Sequence, residues 1–566
     1  MSHCQHLWLE EYPDQGFTLP AGLRLKARFD QPPAGPGLLV QPAVAQWPAL
    51  ARANRRLLLQ GKVSMAGLPL VQIRRCLREE LAPLPVPVRL EEPLLLATGH
   101  QPVLYHPGVW VKLFAGSQAA EASGGQLVNV VVDSDTEDLA VPVPEVEPGS
   151  GRVRLARLVV QGTGPDHVPL ERRPAPDRAA WRAFVEEARA RVAPLLPEAA
   201  VRLERLSAVE PDAGESVARF FSRVRRAWEA GASQPGPTQY QELPVSRLSQ
   251  TLAFRLWLME WATQASQWRE AYNEALRQYR ELHKLRSRAN PFPDLEATDE
   301  GVEIPFWCLV DEGGGWARRP VVVRRTGGSR LELRALTPSG TAETLIEVPA
   351  DDPLEGARQL GRAQLPFRPK AIPMTLFVRL VVADLFIHGT GGARYETIGD
   401  FLMAARWPEA FGRAVPRYAV ATATLPLAVP AAQEQAARLP LLEGLVRSLE
   451  HNPQRVVAAL QEELREEAAQ AGLTVDESLH ALTAQKEALV QQIQAGGDKK
   501  ALGQAIRAVN EELARRLEPA RAYLVKELEA ARLAQAVVTE RGYPFFLYEP
   551  AQLWQLLAGE PTLEGG

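Results

Sequence analysis

Two short segments, nearly 300 positions apart, share a pattern that leaves few folds open. The first begins with the apolar run Leu94 to Thr98. A loop from Gly99 to Gly108 follows, then a helix-forming stretch from Val109 to Glu121. Leu127 to Val132 comes next, apolar apart from Asn129, and runs into Asp133. Strand, glycine-bearing loop, helix and apolar strand make a βαβ unit, which implies a parallel sheet covered on both faces. The second segment repeats the logic. Asp384 to His388 reads as a strand, Gly389-Thr390-Gly391-Gly392 as a turn and Ala393 to Arg406 as a helix, with a further strand at Arg417 to Ala421. The expected fold class is α/β, with a Rossmann-like parallel-sheet core assembled from two distant parts of the chain.

What lies around these segments has its own patterns. Residues 1–90 mix turns with a helical stretch near Trp47 to Gln60 and are expected to pack on the core. The first part of the core spans 91–240. Residues 241–300 form a connector, read as one long helix over 245–286. Its aromatics Trp257, Trp261, Trp268, Tyr272 and Tyr279 fall at spacings of four and seven, on one face, which marks a buried stripe. In 301–350, glycine pairs separate short apolar runs, predicting an inserted antiparallel β meander. The second part of the core spans 351–440. In 441–566, Leu479, Leu482, Leu489 and Ile493 keep helical spacing, as do Leu502, Ile506, Val509 and Leu513 beyond Gly496-Gly497-Asp498. That predicts a helical hairpin or short coiled coil, able either to join two copies as a homodimer or to pack on its own core. Pro519 should kink or restart the second arm.

Composition narrows the function classes. With 46% apolar and 23% charged residues the chain is globular, and its net charge of −4 argues against a nucleic-acid-coating protein. Nine lysines stand against 55 arginines. The cysteines Cys4, Cys76 and Cys308 are sparse and odd in number, no disulfide framework, which fits a reducing compartment. No stretch reaches the ~18 apolar residues of a membrane span, and Met1 to Pro20 lacks the apolar core of a signal peptide. A cytoplasmic protein with no membrane partner is expected. No GxSxG, Walker A, HExxH or zinc-spaced cysteine set occurs, and His3-Cys4-His6 is not read as a metal site.

Chemistry is expected where parallel strands end and helices begin, the usual ligand position in open α/β sheets. At the first turn, Thr98, Gly99, Gln101, Gly108 and Lys112 are candidate anion-binding residues, with His100 and His106 as acid, base or donor. The acidic turn Asp133 to Asp138 ends the next strand. Asp133 and Asp138 are candidate ligands for an amine or hydroxyl group, or for Mg²⁺, and Asp135 is a candidate catalytic carboxylate. At the second glycine turn, His388, Gly389, Gly391, Gly392, Arg394, Tyr395 and Glu396 form a candidate anion cradle. A turn needing positive φ is the plain alternative. His106-Pro107-Gly108 also matches the first three positions of a nucleotidyltransferase His-x-Gly-His pattern, but Val109 stands in place of the last His.

Thr98-Gly99-His100-Gln101-Pro102 followed by Leu104-Tyr105 resembles the BshC family, the cysteine-adding enzymes of bacillithiol biosynthesis, which carry Thr-Gly-Gln-Gln and Leu-Phe at such a strand end. The likeness extends to a strand ending in an acidic cluster, here Val130 to Asp138, and to Arg379, Gly391, Gly392 and Glu396. It covers about 80 residues near 94–138 and 372–406. His100 departs from the family's first Gln, the Gly99–Lys112 spacing looks shorter, the acidic cluster lacks the family's His, and His388 stands where the family is usually apolar. The resemblance implies a Rossmann-like core with a coiled coil, and a ligase or transferase that joins cysteine or another amino acid to an amino sugar. ATP or ADP with Mg²⁺ is the nucleotide partner weighed beside the small-molecule substrate. A non-catalytic ligand-binding scaffold and a nucleotidyltransferase are the alternatives.

Overall fold

The computed structural model describes residues 35–231, 236–237, 240–313 and 315–559. The segment holding His3, Cys4 and His6, and Met1 to Pro20, lies outside the described residues. The chain is mixed α/β. Its central sheet has six strands: β1 (Gly37–Gln41), β2 (Leu95–His100), β3 (Gln126–Val131), β4 (Tyr240–Pro244), β5 (Leu385–His388) and β6 (Ala419–Thr424). Their order is β1-β6-β5-β2-β3-β4. All neighbours pair in parallel except β1, an antiparallel edge strand laid on β6. The apolar runs are buried on both faces, as parallel sheets require. Leu95 and Ala97 join one core and Leu94 and Leu96 the other.

The connections decide where a cleft can form. From β2 the chain passes through α1 (Pro107–Ala122) to β3. From β5 it passes through α2 (Thr390–Arg406) to β6, in the opposite direction along the sheet. Trp110, Val111 and Phe114 of α1 pack with Leu96 and Ile387, whereas Ile398, Phe401 and Leu402 of α2 pack on the other face with Leu95 and Phe386. The neighbours β2 and β5 therefore send their helices to opposite sides. This is a topological switch point, and it opens a crevice at their carboxyl ends.

The predicted helix at 245–286 is broken into Val245–Leu248, Leu252–Thr263 and Ala265–His283. Thr251 caps the second piece through Phe254 N–H, and Gln264 leaves helical geometry at φ −123°, ψ 32°. The aromatic stripe is buried core all the same, with Trp261 and Trp268 stacked at 4.1 Å. The strands Gly301–Asp311, Trp316–Thr326, Arg330–Leu336 and Ala342–Pro349 pair antiparallel in sequence order, and Phe367–Pro369 adds to the free edge of the first. Toward the C-terminus, Leu479, Val509 and Leu513 pack against Leu442 to Leu464 of the same chain. Glu518–Thr539 starts a new helix with Pro519 in its first turn. The chain then returns to the central sheet, where Phe545 and Trp554 pack on Trp110 and Phe114. No helix of the described residues is long and apolar enough to cross a membrane.

Candidate active site

The crevice holds a cavity of about 680 Å³, within the size range of small-molecule sites. Both glycine-bearing turns line it. His100, Gln101, His106, Gly108 and Lys112 come from the first turn and α1, and His388, Gly389, Gly391, Gly392 and Glu396 from the second. The N-terminal ends of α1 and α2 thus meet at one rim, where free N–H groups and helix dipoles favour an anion.

None of Gly99, Gly108, Gly389, Gly391 and Gly392 has positive φ, so the left-handed-turn reading is overturned. Gly391 and Gly392 already belong to the first turn of α2. Two of the glycines are required by close approach. A Cβ on Gly108 would lie 2.8 Å from Thr422 Oγ1 and 2.9 Å from His106 Cε1, and one on Gly392 would lie 2.9 Å from His388 Nδ1. Gly391 has open space around it.

Hydrogen bonds fix the states of the imidazoles. His106 caps α1, its Nδ1 accepting the Gly108 N–H at 3.2 Å. A neutral ring with an accepting Nδ1 carries its proton on Nε2. His100 is the opposite tautomer. Its Nδ1 faces the Gln101 carbonyl at 3.1 Å, a group that can only accept, so Nε2 holds the lone pair. Both rings are neutral near pH 7, because burial and the adjacent Lys112 push their pKa values down to about 3 for His100 and about 4 for His106. Buried Lys112 donates to Gly99 O at 2.8 Å, and burial lowers its ammonium pKa to about 7.

The second turn is wired differently. His388 Nε2 lies 3.2 Å from Glu396, which also accepts from Arg379 at 2.6 Å; Arg379 reaches Asp400 at 2.6 Å as well. Burial disfavours the Glu396 charge, but His388 and Arg379 outweigh it and hold the carboxyl down to about 2. Burial carries Asp400 the other way, up to about 6, against the pull of Arg379. Burial also lowers His388, opposed by Glu396.

Several expected residues do other work. Thr98 is buried and bonds Ile387 O at 2.9 Å, tying β2 to β5 beneath the cleft. The acidic turn does not gather its carboxylates. Asp133 is buried and turned to Ser246, accepting from its N–H and Oγ–H, and burial beside Glu171 raises it to about 6. Asp138 is exposed and pairs with Arg157. Among these three aspartates only Asp135 lines the cavity, held by Gln101 at 2.9 Å and Arg318 at 2.6 Å. No group of three or more His, Cys, Asp or Glu among the described residues is arranged to hold a metal ion. Arg394 is exposed on α2 and does not line the cavity, whereas Tyr395 does and meets Phe292 at 5.5 Å.

Other lining residues lie far from either turn in the chain. Trp307, Arg318 and Lys370 reach the cavity from the antiparallel sheet and its edge, with Arg318 and Lys370 at 5.2 and 4.2 Å from the Trp307 ring. Tyr272, from the aromatic stripe, also lines it. No local signal in Trp316–Thr326 aims Arg318 at the cleft, since Arg318-Arg319 and Val321-Val322-Val323 break the strand's alternation. The result is a cleft with basic nitrogens along the sheet edge and an aromatic wall with two further cations opposite. The chain matches no protein-family model and no curated protein.

Proposed function

We propose that the protein is a BshC-like ligase or transferase, built on a Rossmann-like core, that joins cysteine or another amino acid to an amino sugar at the switch-point cleft. The observation that carries this reading is the meeting of two helix N-termini, from opposite faces of one sheet, around the bases His100, His106 and Lys112. The Arg379–Glu396 contact supports the resemblance, since the family motif holds both residues.

The chemistry follows from the tautomers. His106 Nε2–H and the Lys112 ammonium hold a phosphate, a carboxylate or the developing oxyanion. His100 Nε2 accepts the proton of the attacking amine. An anion bound beside these groups favours their protonated forms, which raises His100 from about 3 toward useful basicity. Glu396 lies beside the His388 ring and Gln101 holds Asp135, so both stand ready as further polar contacts. The new amide bond joins the amino acid's carboxyl carbon to the sugar's amine nitrogen, and the carboxyl oxygen that is lost leaves on a phosphoryl group from a donor such as ATP, whose phosphates would be held by the helix N-termini and Lys112. A homodimer through the C-terminal helices belongs to the same reading, with half-buried Ile493 near their tip in the pairing surface.

The test is product formation. Protein incubated with cysteine, an amino sugar conjugate, ATP and Mg²⁺ should yield, by mass spectrometry, a species heavier than the sugar by cysteine less water. His100→Gln should abolish turnover and leave ligand affinity within about threefold. No product from the wild type, together with a His100→Gln protein that loses ligand affinity, would instead support the ligand-binding scaffold.

A further inference from the structure

Behind the strand Phe367–Pro369 lies a second cavity of about 360 Å³, which no step above uses. Neighbouring residues of an extended segment face opposite ways. Pro369 lines the cleft, while Arg368 lines this second cavity together with the start of helix Leu252–Thr263 and the end of helix Pro353–Ala363.

Its lining is cationic. Arg368 is 3% exposed and donates to both oxygens of Glu171, at 2.6 and 2.7 Å. Arg172 lies over the Trp316 ring at 4.0 Å and 3.9 Å from the same carboxylate. Arg255 donates to the Gln250 carbonyl at 2.7 Å, and among the described residues no carboxylate forms an ion pair with it. Glu80, whose charge it feels, is engaged in capping the Leu252 N–H at 2.8 Å. Two guanidiniums therefore share Glu171, and the third has no carboxylate within ion-pair distance among the described residues.

A second observation is independent of charge. Ser249 is 7% exposed, lines the cavity, and its Oγ has no hydrogen-bond partner; the buried Arg255 Nε has none either. Buried donors without partners cost free energy, and an oxyanion satisfies them with the planar fork geometry that Arg presents. Gly361 makes the arrangement possible, because a Cβ there would lie 2.8 Å from Arg255 Cζ.

We propose that this cavity is a second anion site, taking a small molecule through a phosphate or carboxylate group. Arg172 and Arg255 grip the oxyanion, Ser249 Oγ–H donates to it, and Arg368 stays on Glu171. The site stands whether or not the cleft catalyses the reaction proposed above.

Calorimetric titration of the intact protein with pyrophosphate, and separately with citrate, tests it and tells which anion chemistry is preferred. Wild type should show two classes of site for at least one of these anions. The double variant Arg172→Gln/Arg255→Gln should weaken one class at least tenfold, and Lys112→Met should weaken the other. Double-variant titrations that match wild type for both anions would overturn the proposal. So would a wild type whose entire anion binding is lost in Lys112→Met. Should the double variant not fold, Arg172→Gln alone, with its side chain one-third exposed, must weaken one class at least threefold; unchanged affinity overturns the site.

Discussion

The amino end of β5 and the carboxyl end of β2 handle buried charge in opposite ways. At the amino end, Asp384 accepts from Arg55 at 2.5 Å and from Leu95 N–H at 3.0 Å, with Arg74 at 3.7 Å. Asn54 reaches across to Asp384 O, and Arg55 and Arg74 bond further carbonyls. The charges there are closed on one another. At the carboxyl end, Lys112, His100 and His106 crowd together, and among the described residues no carboxylate forms an ion pair with Lys112. One end is a clasp that holds the N-terminal helices to β5. The other is poised for charge that the protein does not itself supply. Burial alone therefore does not mark a functional site; burial of bases without acids does.

The largest effect expected from this contrast is on stability. Asp384→Asn leaves two arginines buried without a counter-charge and should cost about 3–5 kcal/mol in denaturant unfolding. Lys112→Met removes a buried base that has no acid and should be neutral or stabilising, while anion affinity falls at least tenfold. If Lys112→Met destabilises as much as Asp384→Asn, the contrast fails.

Protonation separates the ends next. Lys112 is lowered in the folded protein, so between about pH 7 and its unfolded value of 10.5 the unfolded chain binds more protons. Stability should rise with pH through that window, by up to tenfold in the folding constant per unit, and Lys112→Met should flatten the rise. His100 contributes the same sign between about pH 3 and 6.5. Anion binding raises the Lys112 pKa, so calorimetry near pH 8 in buffers of different ionisation enthalpy should show proton uptake that fades below pH 6.

The smallest effects concern the glycines. Gly108→Ala forces a methyl against Thr422 and His106 and should weaken anion binding. Gly391→Ala meets open space in the first turn of α2 and should stabilise by about 0.5–1 kcal/mol. Equal outcomes would mean that the first turn has more slack than its contacts indicate.

What the sequence revealed of this site divides along the same lines. Both glycine turns were legible because apolar run, glycine and helix start are local signals, and so was the burial of the aromatic stripe. The acidic turn misled because sequence shows carboxylates but not their directions: Asp133, Asp135 and Asp138 diverge to Ser246, Arg318 and Arg157. Arg394 misled likewise, one residue off the inward face of α2. Trp307, Arg318 and Lys370 were invisible because their approach to β2 depends on how a whole sheet packs. The return of Phe545, which donates its N–H to Tyr105 O at 2.6 Å and so braces the first turn, has no local signature either.

The account rests on both turns gripping one guest, and thermal denaturation of the intact protein against ATP, ADP, cysteine and sugar phosphates addresses that directly. A binder held at 100 times its Kd should add about 2.7 kcal/mol of stability. In the Arg172→Gln/Arg255→Gln background, which removes the second anion site, that gain should vanish in Lys112→Met, on the first helix, and in Gly392→Val, on the second. A binder whose stabilisation survives either substitution in that background would contradict the shared cleft.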